Sequence, residues 1–224
     1  MNHNKVAAVI FDMDGVLIDS EPSWQAAEIS VFGQLGLPIC LQDTLQTTGL
    51  RIDQVVDYWY QRHPWPDYDN RATANAIVQQ VAAGILRSGE AMHGAISALQ
   101  ACQDKPLKIG LATSSSSPLI EAVLQKLDIG HYFNTICSAE SLTFGKPHPE
   151  VYLNCAAALQ VAPQSCIAVE DSFNGLIAAR AANMHTVVVP ASHEAAQAKW
   201  AAAHRKLDDL TQLSDYVSQV LRAQ

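Results

Sequence analysis

A chain of 224 residues, 49% of them hydrophobic, is long enough for one large domain or for a core plus a small insert. Its formal net charge of -8 and pI of about 5.4 argue against a nucleic-acid partner, and no apolar run approaches membrane-spanning length. The five cysteines, Cys40, Cys102, Cys137, Cys155 and Cys166, are odd in number and form no C-x-x-C pair, which speaks against a zinc knuckle or a disulfide framework.

Met1 to Lys5 carry no apolar leader, so the expectation is a soluble, cytoplasmic protein with reduced thiols. The β-branched run Val6 to Phe11 predicts the first strand. Asp12-Met13-Asp14-Gly15 follows it directly. Alternate residues of an extended segment point the same way, so Asp12 and Asp14 can converge on one small site. In an open parallel sheet, the carboxyl edge is where ligands bind. Two carboxylates there can divide the work of nucleophile and general acid. Taken alone, the same Asp-Gly step also makes a hairpin turn.

Residues 20–91 lack strand-helix alternation. Trp24, Ala27, Val31 and Leu35 share one helical face, as do Ile52, Val55, Val56, Trp59 and Tyr60, and then Ile77, Val78, Val81 and Ile85. This stretch predicts a small helical cap, with hinges near Ile18 to Glu21 and Ala91 to Gly94. Residues 1–19 and 92–224 then form the core. Strand-like runs recur at Lys108 to Leu111, Thr135 to Cys137, Cys166 to Val169 and Thr186 to Val189, with helical stretches between them. Ser117 is placed as an N-cap with Pro118 at the first helical position, and Pro149 opens a helix to about Leu159. The predicted fold is α/β: a doubly wound parallel sheet with a helical cap inserted after the first strand.

Three further segments sit where strands end or helices begin: Thr113-Ser114, then Gly145-Lys146-Pro147-His148-Pro149, then Glu170-Asp171-Ser172-Phe173-Asn174-Gly175. Singly they are a Ser-rich linker, a proline turn and a helix cap. Together with Asp12 and Asp14 they supply a nucleophile, a phosphate-facing hydroxyl, a cation and a second acidic cluster. Two carboxylates ~4 Å apart repel by roughly 4 kcal/mol at an effective dielectric of 20. A cluster of four calls for a divalent cation, and an all-oxygen ligand set beside a phosphate points to Mg²⁺. Asp12, the backbone carbonyl of Asp14, and Asp171 are the expected ligands, with Glu170 as a further candidate.

In these four segments the chain resembles the haloacid dehalogenase-like hydrolases, over nearly its whole length. Within that family it is similar to the bacterial sugar-phosphate phosphatases acting on 2-deoxyglucose 6-phosphate or hexitol phosphates. The residues that suggest this branch are Asp12 to Gly15, Asp19 to Trp24, Gly49 to Asp53 and Val56 to Tyr60. The resemblance implies a helical cap over a doubly wound core. It also implies a phosphatase in which Asp12 attacks phosphorus and Asp14 serves as acid and then base. Lys146 would screen the charges. Thr113 and Ser114 would hold phosphate oxygens, with the choice among Ser114 to Ser117 left open. Glu21, Trp24 and Arg51 are the candidate contacts to a small phosphorylated sugar or sugar alcohol, and a monomer is expected. Two alternatives stand beside this reading: a sugar phosphomutase of the β-phosphoglucomutase kind, and a catalytically silent sugar-phosphate binder.

Overall fold

The computed structural model describes residues 5–223. Met1 to Asn4, read above as carrying no leader, lie outside them. The first strand, β1 (Ala8–Phe11), is buried at all four positions. It continues through the Asp12–Gly15 turn into β2 (Ile18–Asp19). The cap helices follow: α1 (Glu21–Gln34), the short α2 (Leu41–Thr44), α3 (Ile52–Arg62) and α4 (Asn70–Ser88). Strand β3 (Glu90–Ala91) returns antiparallel to β2, pairing Ile18 with Ala91 and Asp19 with Glu90. This strand pair is not readable from sequence, because two-residue strands have no measurable period.

The remaining chain alternates: α5 (Ala95–Gln103), β4 (Lys108–Thr113), α6 (Ser117–Leu127), β5 (Thr135–Ser138), α7 (Glu150–Ala158), β6 (Cys166–Glu170), α8 (Phe173–Ala181), β7 (His185–Val188), β8 (Arg205–Lys206) and α9 (Leu213–Arg222). Ser116, rather than Ser117, occupies the N-cap position of α6, without a side-chain capping bond, and puts Pro118 at the second helical position. The register differs by one because Ser117 turns away, its N–H and hydroxyl both donating to Glu140.

Six parallel strands form one sheet in the order β5-β4-β1-β6-β7-β8. In chain order within the sheet this reads third, second, first, fourth, fifth, sixth, the doubly wound arrangement. Side chains alternate across the sheet. Val9 and Phe11 join a core with α5, α6 and α9, whereas Ala8 and Ile10 join a second core with α7 and α8. The sheet is thus covered on both faces. The strand order reverses between β1 and β6, and a crevice opens at their carboxyl ends.

The buried side chains of the cap belong to the same apolar cluster as Val9 and Phe11, and within the cap Phe32 meets Trp65 edge-on at 6.0 Å between ring centroids. Helix α4 packs against both α1 and the core helix α6, and Lys126 of α6 donates to the Leu86 carbonyl at 3.1 Å. The cap therefore leans on the core at its far end as well as through its hinges. No described helix is long and apolar enough to cross a membrane.

Candidate active site

Asp12 is the first residue beyond β1, and its N–H donates to the Val169 carbonyl at 2.9 Å. That bond holds the turn to the neighbouring strand β6. Gly15 then adopts a φ of +71°, which favours glycine. A Cβ there would lie 2.0 Å from Asp171 Oδ2, so the bare backbone lets Asp171 into the site.

Lys146 is 6% exposed. Its ammonium donates to Asp12 Oδ1 and to Glu170 Oε1, each at 2.6 Å, and to the Ala112 carbonyl at 3.0 Å. Burial alone would lower its pKa, but the Asp12 and Glu170 charges outweigh this and raise it. Lys146 is therefore a fixed cation. The carboxylates respond in the opposite sense to the site. Burial pushes Asp12 up to about 7, with Glu170 and Asp14 adding and Lys146 opposing. Burial likewise raises Asp171 well above the carboxylate range, with Glu170 and Asp12 adding.

Glu170 is fully buried. Its Oε1 accepts from Lys146 and from the Tyr152 hydroxyl at 2.7 Å. Its Oε2 accepts from the Ser172 N–H at 3.2 Å and hydroxyl at 3.0 Å. A Cβ on Gly175 would lie 1.8 Å from Glu170 Oε1, so that glycine makes room for the carboxylate at the start of α8. Asn174 lines the same cleft. By contrast, no hydrogen bond or ion pair among the described residues reaches the Asp171 carboxylate.

Carboxylate oxygens of Asp12, Glu170 and Asp171 lie within 4.8 Å of one another. A hard divalent cation fits this all-oxygen donor set. Of the three, Asp171 has its oxygens free, while both Glu170 oxygens are already engaged by protein donors.

Asp14 is held by three side chains. Ser20 donates to its Oδ1, Trp24 Nε1 donates to the same oxygen at 3.3 Å, and Ser115 donates to Oδ2 at 2.6 Å. A serine hydroxyl can turn to accept instead of donate. Ser20 and Ser115 can therefore hold the acid in either protonation state. Thr113 is buried at the end of β4, where its Oγ1 accepts from the Ser115 N–H at 3.0 Å. Ser114, partly exposed, lines the cleft beside it.

Sequence reasoning missed Tyr152 and the bonds that Ser20 and Ser115 make to Asp14, since it leaves Ser115 open only as a phosphate contact. Ser115 lies in the serine run but is picked out only by the turn that swings it toward Asp14. Ser20 and Tyr152 carry no local signal, since their partners lie 6 and 18 residues away.

On the cap side, Glu21 accepts from Gln25 at 2.9 Å and Thr48 at 3.3 Å, and burial raises its pKa against those bonds. Trp24 meets Asp14 through its indole N–H. Arg51 forms a fork with Asp53, at 2.6 and 2.7 Å, and its remaining terminal nitrogen donates to the Ala139 and Leu142 carbonyls at 3.2 and 2.8 Å. It ties the cap to the core loop ahead of Lys146. Cap and core together enclose a cleft of about 1120 Å³.

Asp12 at a strand end, its buried partner Lys146 and a second aspartate two residues on thus meet at the floor of the cleft under the cap. Residues 9–189 match the model of the haloacid dehalogenase-like hydrolases, and the chain belongs to that family. It is 41% identical to hexitol phosphatase B of Escherichia coli strain K12 over 211 residues, 94% of this chain and 95% of that one. It is 33% identical to the fructose-1-phosphate phosphatase YqaB of the same organism over 190 residues, 84% of this chain and 98% of that one. Among solved structures, it is similar to the β-phosphoglucomutase of Clostridium difficile, with a TM-score of 0.83, 25% identity and coverage of 97% and 98% of the two chains. CbbY from Rhodobacter sphaeroides, solved with phosphate, shares the fold at a TM-score of 0.83 and 23% identity, covering 93% and 96%.

Proposed function

We propose that this chain is a Mg²⁺-dependent phosphatase of small sugar or sugar-alcohol phosphates, working through a phosphoryl group carried on Asp12. The observation that carries this reading is the Asp12–Lys146 pair, 2.6 Å apart and buried at the floor of a capped cleft. The hexitol and fructose-1-phosphate phosphatases among its relatives support the substrate class. The carboxylates of Asp12 and Asp171 and the backbone carbonyl of Asp14 would hold the metal. Bound Mg²⁺ supplies fixed positive charge beside the phosphate. Glu170 stays behind, aligning Lys146 and the start of α8.

An Asp12 carboxylate oxygen attacks phosphorus, and the bond from phosphorus to the sugar oxygen breaks. Asp14 gives its proton to that leaving oxygen. Water then attacks the aspartyl-phosphate, Asp14 takes a proton from it, and the bond from phosphorus to Asp12 breaks to release phosphate. Thr113 and Ser114 would hold the phosphate oxygens at the start of α6, where the helix dipole favours an anion. Catalysis is positioning plus charge stabilisation. Glu21 and Trp24 border the leaving group. Arg51 acts through the cap loop that it fastens over the site.

Hydrolysis is favoured over a mutase reaction by the relatives: the chain is 41% identical to a hexitol phosphatase over 94% of its length, against 25% to a β-phosphoglucomutase. A silent binder has no use for Asp14 beside Asp12. Free thiols support a reducing, cytoplasmic setting. A monomer suffices, since one chain supplies both nucleophile and cap. Phosphate release from a panel of phosphomonoesters, with and without Mg²⁺, tests the proposal. Hexose 6-phosphates and hexitol phosphates should lead, and activity should need the metal. A panel led by nucleotides or phosphoserine would overturn it.

A further inference from the structure

Glu28 lies on α1, one turn beyond Trp24, and is 6% exposed. Its Oε2 has no hydrogen-bond partner, and no ion pair or hydrogen bond among the described residues ends on its carboxyl. A buried polar group without a partner carries its full desolvation cost. The neighbours on α1, Ala27 and Val31, are apolar and buried. The cap interior therefore has no packing need for an acid at this position.

Glu28 instead lines the cleft. Glu21, Gln25 and Glu28 are spaced four and three residues apart, so they share one face of α1. All three line the cleft, and so does Asn75 of α4. Trp24 marks the end nearest the reacting groups through its bond to Asp14. At 1.5 Å per residue, Glu28 lies about 6 Å farther along the helix axis. A leaving group that runs along α1 from a phosphate on Asp12 would come to it. Burial, with the Glu21 charge adding, pushes the Glu28 carboxyl up to about 8, so at pH 7 it is mostly the neutral acid. A neutral carboxyl offers one donor and one good acceptor. That set matches a hydroxyl or a pair of vicinal hydroxyls, and gives a second phosphate no cation to bind.

We propose that Glu28 is a specificity-determining residue that binds the hydroxyls of the sugar or sugar alcohol remote from its phosphate. The assignment rests on the sugar-phosphatase reading above and adds to it the group that reads the polyol. It also places the selection for a hydroxylated chain on α1.

The test compares wild type, Glu28→Leu and Glu28→Gln, each with glucitol 6-phosphate and with p-nitrophenyl phosphate. The readout is the ratio of the two kcat/KM values, with KM and kcat reported separately. Glu28→Leu should lower the ratio by about tenfold to a hundredfold, the scale of a lost hydroxyl partner. Most of that loss should lie in KM for glucitol 6-phosphate. Glu28→Gln, which still donates and accepts, should stay within about threefold of wild type. Glu28→Ala gives the same reading where Glu28→Leu is not soluble. A ratio unchanged in Glu28→Leu, or equal losses on both substrates, would overturn the assignment while leaving the sugar-phosphatase reading intact. A wild type that hydrolyses no sugar phosphate would overturn both.

Discussion

Asp12 and Asp14 are two residues apart, and their surroundings give them different work. Asp12 touches a buried ammonium, whereas Asp14 meets two hydroxyls and an indole N–H. Asp12→Asn should lower kcat at least a hundredfold, about 2.7 kcal/mol of barrier, in a phosphate-release assay, with the circular dichroism spectrum unchanged. Asp14→Asn should cost more on a sugar phosphate than on p-nitrophenyl phosphate, whose leaving group needs little protonation. Ser115→Ala removes a 2.6 Å bond to Asp14 and should show the same bias more weakly, at about threefold to tenfold in kcat. Equal effects on both substrates would place Ser115 outside the acid's support. The carboxylates and Lys146 were readable from sequence because each follows a strand or precedes a helix with a proline or glycine beside it. Ser20 and Tyr152 were not, because a hydroxyl becomes a site residue only through partners that folding delivers.

At the scale of elements, α1 carries the cap's contact with the acid, and it also carries a liability. Glu28 has a folded-state pKa near 8 against an ordinary 4.5. Below pH 4.5, folded and unfolded chains both hold its proton. As pH rises from 4.5 toward 8, the unfolded chain releases that proton while the folded chain keeps it. The acid thus lowers stability progressively across that window. Glu28→Gln removes the titration. Its Tm should exceed wild type by a margin that opens between pH 5 and 8, reaching about 1–3 kcal/mol of stability. A margin independent of pH would contradict this account. The helical faces of α1, α3 and α4 were legible from their 3.6-residue spacing. The use of Glu28 was not, since a single acid on an apolar helix reads as a solvated charge until burial is known. Arg51 shows the same limit. Its position in a Gly-containing loop suggested a hydroxyl contact, whereas its side chain spans to Ala139 and Leu142. Arg51→Ala should loosen that loop and raise KM for a sugar phosphate several-fold, with a smaller change for p-nitrophenyl phosphate.

For the whole molecule, strand order sets where the chemistry happens. The strand order reverses between β1 and β6, and both acidic segments leave the sheet there. The parallel α/β class followed from β-branched runs alternating with helices. The pairing of β2 with β3 and the short edge strand β8 did not, because their stability comes from neighbours rather than from pattern. The central claim is that Asp12 carries the phosphoryl group. Trapping tests it most directly: the enzyme is mixed with Mg²⁺ and glucitol 6-phosphate, quenched, and treated with borohydride, which reduces an aspartyl-phosphate to homoserine. Peptide mass spectrometry should find homoserine at position 12, and only when substrate is present. Reduction at Asp14 or Asp171 instead, or at no carboxylate during active turnover, would contradict the account.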